Sequence, residues 1–305
     1  MPIPHLFKER YCSLVEDEEK FLESLSIHQP KSFRVNTIKT SKKTVEERFT
    51  QYGFQLRNVV WYVDAYITTN LEISETIEHL TGHIYIQELT SMIPPLLVQN
   101  ELKNAPLVID ACAAPGSKTT HLAALMENKN TIIANDVDAS RVSVLRSTVE
   151  RLGVVNTIIT KNDFRSFPLF QADVVLLDAP CSAEGTMRDH PDALTLWSLD
   201  RIERFAALQK QLILRAFDST KPDGVLLYST CTFAPEENEA VVNYLLEKRE
   251  DAELKQITRD TFQFSPALNS WNKQTFDPQI RNAVRIWPHI SNTGGFFIAK
   301  VKKHD

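Results

Sequence analysis

The chain has 305 residues, 43% of them apolar and 24% charged, and a formal net charge of -5. These values sit near globular averages and exclude long disorder, a collagen-like repeat and a general polycation, but not a local basic groove. Four cysteines with no C-x-x-C pair, no H-E-x-x-H spacing and no apolar run of about 18 residues argue against a disulfide scaffold, a zinc site and a membrane span. The expectation is a protein without a metal or membrane partner in a reducing, cytoplasmic compartment.

Residues 14–26 predict a helix. After Pro30, the segment SFRVNTIK reads as a strand, and Thr44 to Tyr52 reads as a helix stopped by Gly53. Short strand-like pieces follow, including 82–86, and then a helix near 88–99. Lys31 to Arg48 holds six basic residues against two acidic ones, whereas Asn58 to Leu102 holds no Lys or Arg. That stretch reads either as solvated helix surface or as an edge for a phosphate backbone.

From about residue 106 the pattern becomes regular. Near-continuous apolar runs at 107–111, 131–135, 157–161, 173–178, 224–229 and 296–301 predict strands covered on both faces. Helical stretches at 117–127, 138–151, 198–218 and 236–248 alternate with them. The alternation predicts an α/β fold with a doubly wound, mostly parallel sheet, whose last strand is antiparallel. The division expected is a smaller α+β domain over 1–105 and a larger domain over 106–305.

Ligands of such sheets bind beyond the carboxyl ends of the strands. The first strand ends at Asp110 and turns through Ala111-Cys112-Ala113-Ala114-Pro115-Gly116-Ser117-Lys118 into a helix. This turn is neither G-x-G-x-x-G nor a P-loop, but its small residues let backbone approach a ligand. The next strands end at Asp136 and Asp163. Each Asp alone could be a helix cap; three at successive strand ends point to a nucleoside-containing cofactor with a cationic group.

The fourth strand ends Asp178-Ala179-Pro180-Cys181-Ser182 and the fifth Ser229-Thr230-Cys231-Thr232. A lone cysteine is more often a buried core residue, but these two stand where site residues collect. A thiol beside a carboxylate suits methylation of cytosine at C5. Addition of a thiolate at C6 makes C5 nucleophilic, and a carboxylate near N3 and the 4-amino group steadies the ring charge. Residues alone leave open which cysteine attacks.

The segments DACAAPGSKTTHLA, LLDAPCSAEGTMRDHPD and LLYSTCTFAPEENEAVV resemble the signature motifs of the Nop2/Sun family of RNA cytosine-C5 methyltransferases. Residues 33–39 and 85–98 also resemble the family's N-terminal region. The resemblance implies a Rossmann-like methyltransferase domain that uses S-adenosylmethionine. Cys112, Ala113, Ala114, Pro115, Gly116, Ser117 and Lys118 would wrap that cofactor, Asp136 would hold its ribose, and Asp163 would lie near its adenine. Asp178 would border cofactor and base, Cys231 would be the nucleophile, and Cys181 would assist elimination. Arg34, Asn36 and Arg188 would contact the substrate RNA. Similarity to the bacterial ribosomal RNA methyltransferase F type favours ribosomal RNA, while the short length resembles archaeal transfer RNA members. A monomer is expected, with no room after the catalytic domain for the RNA-binding module that many relatives carry.

Two rivals stand. An exocyclic-amine methyltransferase would carry Asn/Asp-Pro-Pro-aromatic where this chain has Asp178-Ala179-Pro180-Cys181. A non-catalytic RNA-binding or assembly factor would not need both cysteines and an intact cofactor turn.

Overall fold

The computed structural model describes residues 3–258 and 261–305. Helix α2 (Glu18–Leu25) lies within the helix predicted over 14–26 and starts four residues later, and a separate short helix, α1 (His5–Cys12), precedes it. The later start is local: the Asp17 side chain accepts from Lys20 N and starts the helix there.

Strands β1 (Lys31–Val35), β2 (Leu56–Val59), β3 (Tyr62–Thr68) and β4 (Ile84–Ile86) form an antiparallel sheet in the order β2-β3-β1-β4. Helix α3 (Lys42–Gln51) sets Val45 and Phe49 into a small core with Phe33, Val35, Tyr66 and Ile84.

Helix α4 (Leu89–Leu97) leads into the larger sheet. There β5 (Leu107–Asp110), β6 (Thr131–Asp136), β7 (Thr157–Lys161), β8 (Ala172–Asp178) and β9 (Thr220–Thr230) run parallel in the order β7-β6-β5-β8-β9. Helices α5 (Ser117–Leu125), α6 (Ala139–Arg151), α7 (Leu199–Asp218) and α8 (Glu239–Lys248) connect or flank them. Helix α7 is amphipathic: Ile202, Ala206, Gln209, Ile213 and Ala216 recur at helical spacing on its buried side. The strand order reverses direction between β5 and β8, and a crevice opens at such a switch point.

The sheet closes with antiparallel strands. β13 (Phe296–Lys303) pairs with β9, with β12 (Val284–Ile286) and with β10 (Ala252–Lys255); β11 (Ser265–Pro266) pairs with β12. β10, β11 and β12 span four residues or fewer, too short for a periodic signal in sequence.

Packing crosses the division expected at 105. Phe21 of α2 meets Phe233 and Trp287 edge-on at 5.4 and 5.7 Å, so the first helices rest against the loop after β9. Leu89, Met92, Ile93 and Leu96 of α4 join the core beneath β5 and β6.

Candidate active site

The carboxyl ends of β5, β6, β8 and β9 bring together the residues singled out in sequence. The turn after β5 passes through Gly116, whose φ of +104° falls in the left-handed region that favours glycine. A cavity of about 410 Å³ opens beyond it, lined by Cys112, Ala114, Asp136, Asp163, Asp178 and Pro180 among others. Ala113, Pro115, Gly116 and Ser117 shape the turn without reaching the cavity wall.

Asp136 is fixed from three sides. Its Oδ2 accepts from Ala114 N at 3.3 Å and faces Arg141 Nη2 at 3.3 Å, and its Oδ1 accepts from Asp138 N at 3.2 Å. A carboxylate has about four lone-pair sites, so one stays available toward the cavity. Asp163 is clasped by Arg165 at 2.6 Å, and that hydrogen bond holds its carboxyl below the usual range. Asp110 differs from the expectation. It is buried beneath the turn, accepts from Thr119 Oγ1 at 2.6 Å and is absent from the cavity wall; burial pushes its carboxyl up to about 7. Burial and the neighbouring Asp136, Asp110 and Asp178 also push the Cys112 thiol up, which leaves it inert as a nucleophile.

A second, smaller cavity of about 130 Å³ lies on the other side of Asp178 and Cys231, which line both spaces. Asp178 Oδ2 accepts from the buried Lys118 Nζ at 2.7 Å and Oδ1 from Ser229 Oγ at 2.7 Å. Burial works against the Lys118 ammonium, but Asp178 more than offsets it and holds the lysine above its usual range. Lys118 therefore lines the smaller cavity and not the larger one. Cys181 Sγ and Cys231 Sγ are 3.3 Å apart, and Cys181 also lines the larger cavity. The hydrogen bond to Cys231, and then burial, push the Cys181 thiol up, so its proton is retained.

Sequence reasoning passed over what holds the two cysteine loops. Glu184 accepts from Tyr11 OH at 2.6 Å, Trp197 Nε1 at 2.7 Å and Phe233 N at 3.0 Å, and also from Thr232 Oγ1. Glu237 accepts from Ser182 N at 3.0 Å and Gln209 Nε2 at 2.9 Å, and its other oxygen meets Ser182 Oγ. Ser182 Oγ and Thr232 Oγ1, 2.9 Å apart, join the two glutamates into one buried chain. Burial, reinforced by Glu184, pushes the Glu237 carboxyl up to about 7. Both glutamates stand inside the motif segments, one three residues after Cys181 and the other six after Cys231. Gly185 crosses Gly295 so closely that a Cβ on it would lie 2.2 Å from Gly295 O, which locks the Cys181 loop against the start of β13.

The three residues expected to touch RNA are built into the framework. Arg34 is fully buried and donates to Gln87 Oε1 at 2.9 Å and Thr120 Oγ1 at 2.6 Å. Asn36 Nδ2 donates to Gly82 O at 2.7 Å and Leu152 O at 2.8 Å, which pins the small sheet to α6. Arg188 is buried and donates to the carbonyls of Ile27 and Thr293, each at 2.8 Å. All three side chains are buried and held by protein acceptors, which keeps them from a phosphate at the surface; Arg34 Nη1 alone among their donor atoms is buried without a partner.

Comparison with known proteins agrees with this geometry. The model of the 16S rRNA methyltransferase RsmB/F matches residues 97–302, and that of the N-terminal domain of 16S rRNA methyltransferase RsmF matches residues 3–89. The chain belongs to the RsmB/F methyltransferase family. An Aeromonas salmonicida protein named ribosomal RNA small subunit methyltransferase F is 38% identical over 94% of the chain; the chain spans 60% of that relative. The Pyrococcus abyssi tRNA (cytosine(49)-C(5))-methyltransferase is 37% identical over 97% of the chain and 94% of its own length. The crystal structure of NSun6 from Pyrococcus horikoshii with SFG, an S-adenosylmethionine analogue, is similar with a TM-score of 0.85 and 25% identity, covering 99% of this chain and 98% of that one. The RsmB/F membership accounts for the Rossmann-like sheet and its antiparallel closing strand. No helix among the described residues is long and apolar enough to cross a membrane.

Proposed function

We propose that this chain methylates C5 of a cytosine in structured RNA, with S-adenosylmethionine in the larger cavity and the cytosine in the smaller one. The observation that carries this reading is the meeting of the two cavities at Asp178 and Cys231, with the Cys181 sulfur adjacent.

The larger cavity fits the cofactor on chemical grounds. Asp136 keeps an acceptor site for ribose hydroxyls, Pro180 and Leu212 offer apolar surface to a flat ring, and the Asp178 carboxylate lies where the two cavities meet and favours a sulfonium there. When bound, S-adenosylmethionine supplies an electrophilic methyl group.

Every other task falls to the chain. Cys231, faced by the Lys118 ammonium, attacks C6 as a thiolate. Asp178, oriented by Lys118 and Ser229, accepts from the cytosine 4-amino group and fixes the ring, while the Lys118 ammonium in the same cavity offsets the negative charge that thiolate addition puts on it. After methylation the C5 proton must leave and the C6–Sγ bond must break. The Cys181 sulfur, 3.3 Å from Cys231, is positioned to give its proton to the departing sulfur and receive the one from C5. Both ring faces must be open for these steps, so the cytosine is unpaired or extruded.

Ribosomal RNA is the favoured substrate, because both family models that match are those of 16S rRNA enzymes. Transfer RNA is the second reading, supported by the Pyrococcus abyssi relative that matches over nearly its full length. Bisulfite sequencing of ribosomal and transfer RNA from a deletion strain and its parent decides: a protected cytosine lost in one pool identifies the substrate, and no loss in either refutes the function.

A further inference from the structure

The cations of the Lys31 to Arg48 stretch are mostly engaged. Arg34 is buried, Lys39 Nζ donates to the carbonyls of Thr81 and Arg151, Lys42 and Lys43 face Glu46 and Glu47, and Arg48 pairs with Glu78. Lys31 is exposed and forms no ion pair or side-chain hydrogen bond with any described residue, and neither does the exposed Arg57 on β2. These two cations converge on one groove.

That groove is a cavity of about 930 Å³ at the edge of the small sheet, with Leu56, Ile67 and the 70% exposed Leu71 as its apolar surface. It adjoins the smaller cavity at Asp178 and Cys231: Gln29 and Asp189 line both. Asp189 is its only acid among the described residues, and that carboxylate already accepts from Gln29 N at 3.3 Å.

We propose that this groove, floored by Leu56, Ile67 and Leu71 and flanked by Lys31 and Arg57, holds the single-stranded nucleotides that flank the target cytosine. The inference rests on the reading of the smaller cavity as the cytosine site. A strand whose base enters that cavity must leave past Gln29 and Asp189. Directly beyond lies a stretch where two unspent cations, Lys31 and Arg57, stand beside the apolar side chains of Leu56, Ile67 and Leu71. Phosphates pair with the former and base faces cover the latter, which is how single strands are held without sequence readout. The basic stretch read from sequence thus contributes Lys31 to the groove, and Arg57 comes from outside it.

The test uses the full chain and a short fluorescent oligoribonucleotide with a central cytosine, followed by anisotropy over a range of salt. The Lys31→Glu/Arg57→Glu variant is expected to bind at least about tenfold more weakly, with a salt dependence reduced by roughly 0.7 per lost phosphate contact. Leu71→Asp weakens binding as well. Lys129→Glu, on the loop before β6 at the amino ends of the parallel strands, leaves it unchanged. Unaltered S-adenosylmethionine affinity in each variant reports an intact fold. Wild-type affinity and salt dependence in the double variant overturn the groove alone, as does an equal loss in Lys129→Glu. A wild-type chain that binds no RNA overturns the cytosine reading and the groove together.

Discussion

The Cys181 and Cys231 sulfurs lie 3.3 Å apart although 50 residues separate them in the chain. They meet because β8 and β9 are parallel neighbours, with Asp178 in register with Ser229, so the loops beyond the two strands emerge side by side. Cys231 lines both cavities whereas Cys181 lines only the larger one, and this difference in placement separates the roles proposed for them.

Replacing Cys231 with Ala is therefore expected to lower methyl transfer by on the order of 10⁴-fold or more, the loss seen when a nucleophile is removed. Cys181→Ala is expected to leave the attack intact and slow release. A protein–RNA adduct that survives denaturing electrophoresis should then accumulate. Activity retained in the first variant, or no adduct in the second, refutes the division of labour.

Asp136 donates nothing and accepts from the turn that frames the larger cavity. Asp136→Ala removes both the acceptor proposed for the ribose and the anchor of Ala114. A hydrogen bond to a charged group contributes about 1.5–3 kcal/mol, so S-adenosylmethionine should bind roughly ten- to a hundredfold more weakly. Isothermal calorimetry measures this directly, and an unchanged Kd removes Asp136 from the cofactor site.

Arg285 and Glu239 form a buried two-pronged pair at 2.6 and 2.5 Å, and Arg285 Nη1 also donates to Phe233 O, two residues beyond Cys231. Arg285→Met leaves Glu239 as an unpaired buried charge, which costs about 3–5 kcal/mol. Chemical denaturation should report that loss, while Arg285→Met/Glu239→Gln, which removes the stranded charge, should recover part of it. A single variant as stable as wild type contradicts the account.

The parallel strands and their carboxyl-end residues were legible in sequence because buried parallel strands read as unbroken apolar runs and motif residues cluster at their ends. The roles of Arg34, Asn36 and Arg188 were not. A basic or amide side chain after a strand looks the same whether it meets a phosphate or a neighbouring carbonyl, and only the tertiary partners Thr120, Leu152 and Thr293 distinguish the two. The packing of α1 on the Cys181 loop was equally hidden, since Tyr11 reaches Glu184 across 173 residues.

Glu237 makes a prediction for pH. In the folded protein its carboxyl titrates at about 7 because burial and Glu184 disfavour the charge, against 4.5 as its ordinary value. Between those values the folded state holds more protons than the unfolded chain. The stability Glu237 contributes is thus complete below the unfolded value and lost as pH rises through about 7. Glu237→Gln mimics the protonated form: its oxygen accepts from Ser182 N and Gln209, and its amide donates to Ser182 Oγ, which passes its own proton to Thr232. At about pH 8 the variant should exceed wild type in unfolding free energy by on the order of 1–3 kcal/mol, with the advantage fading toward about pH 5. Urea denaturation of both proteins across that range measures the difference, and a gap that stays constant with pH assigns the effect to packing and not to the proton.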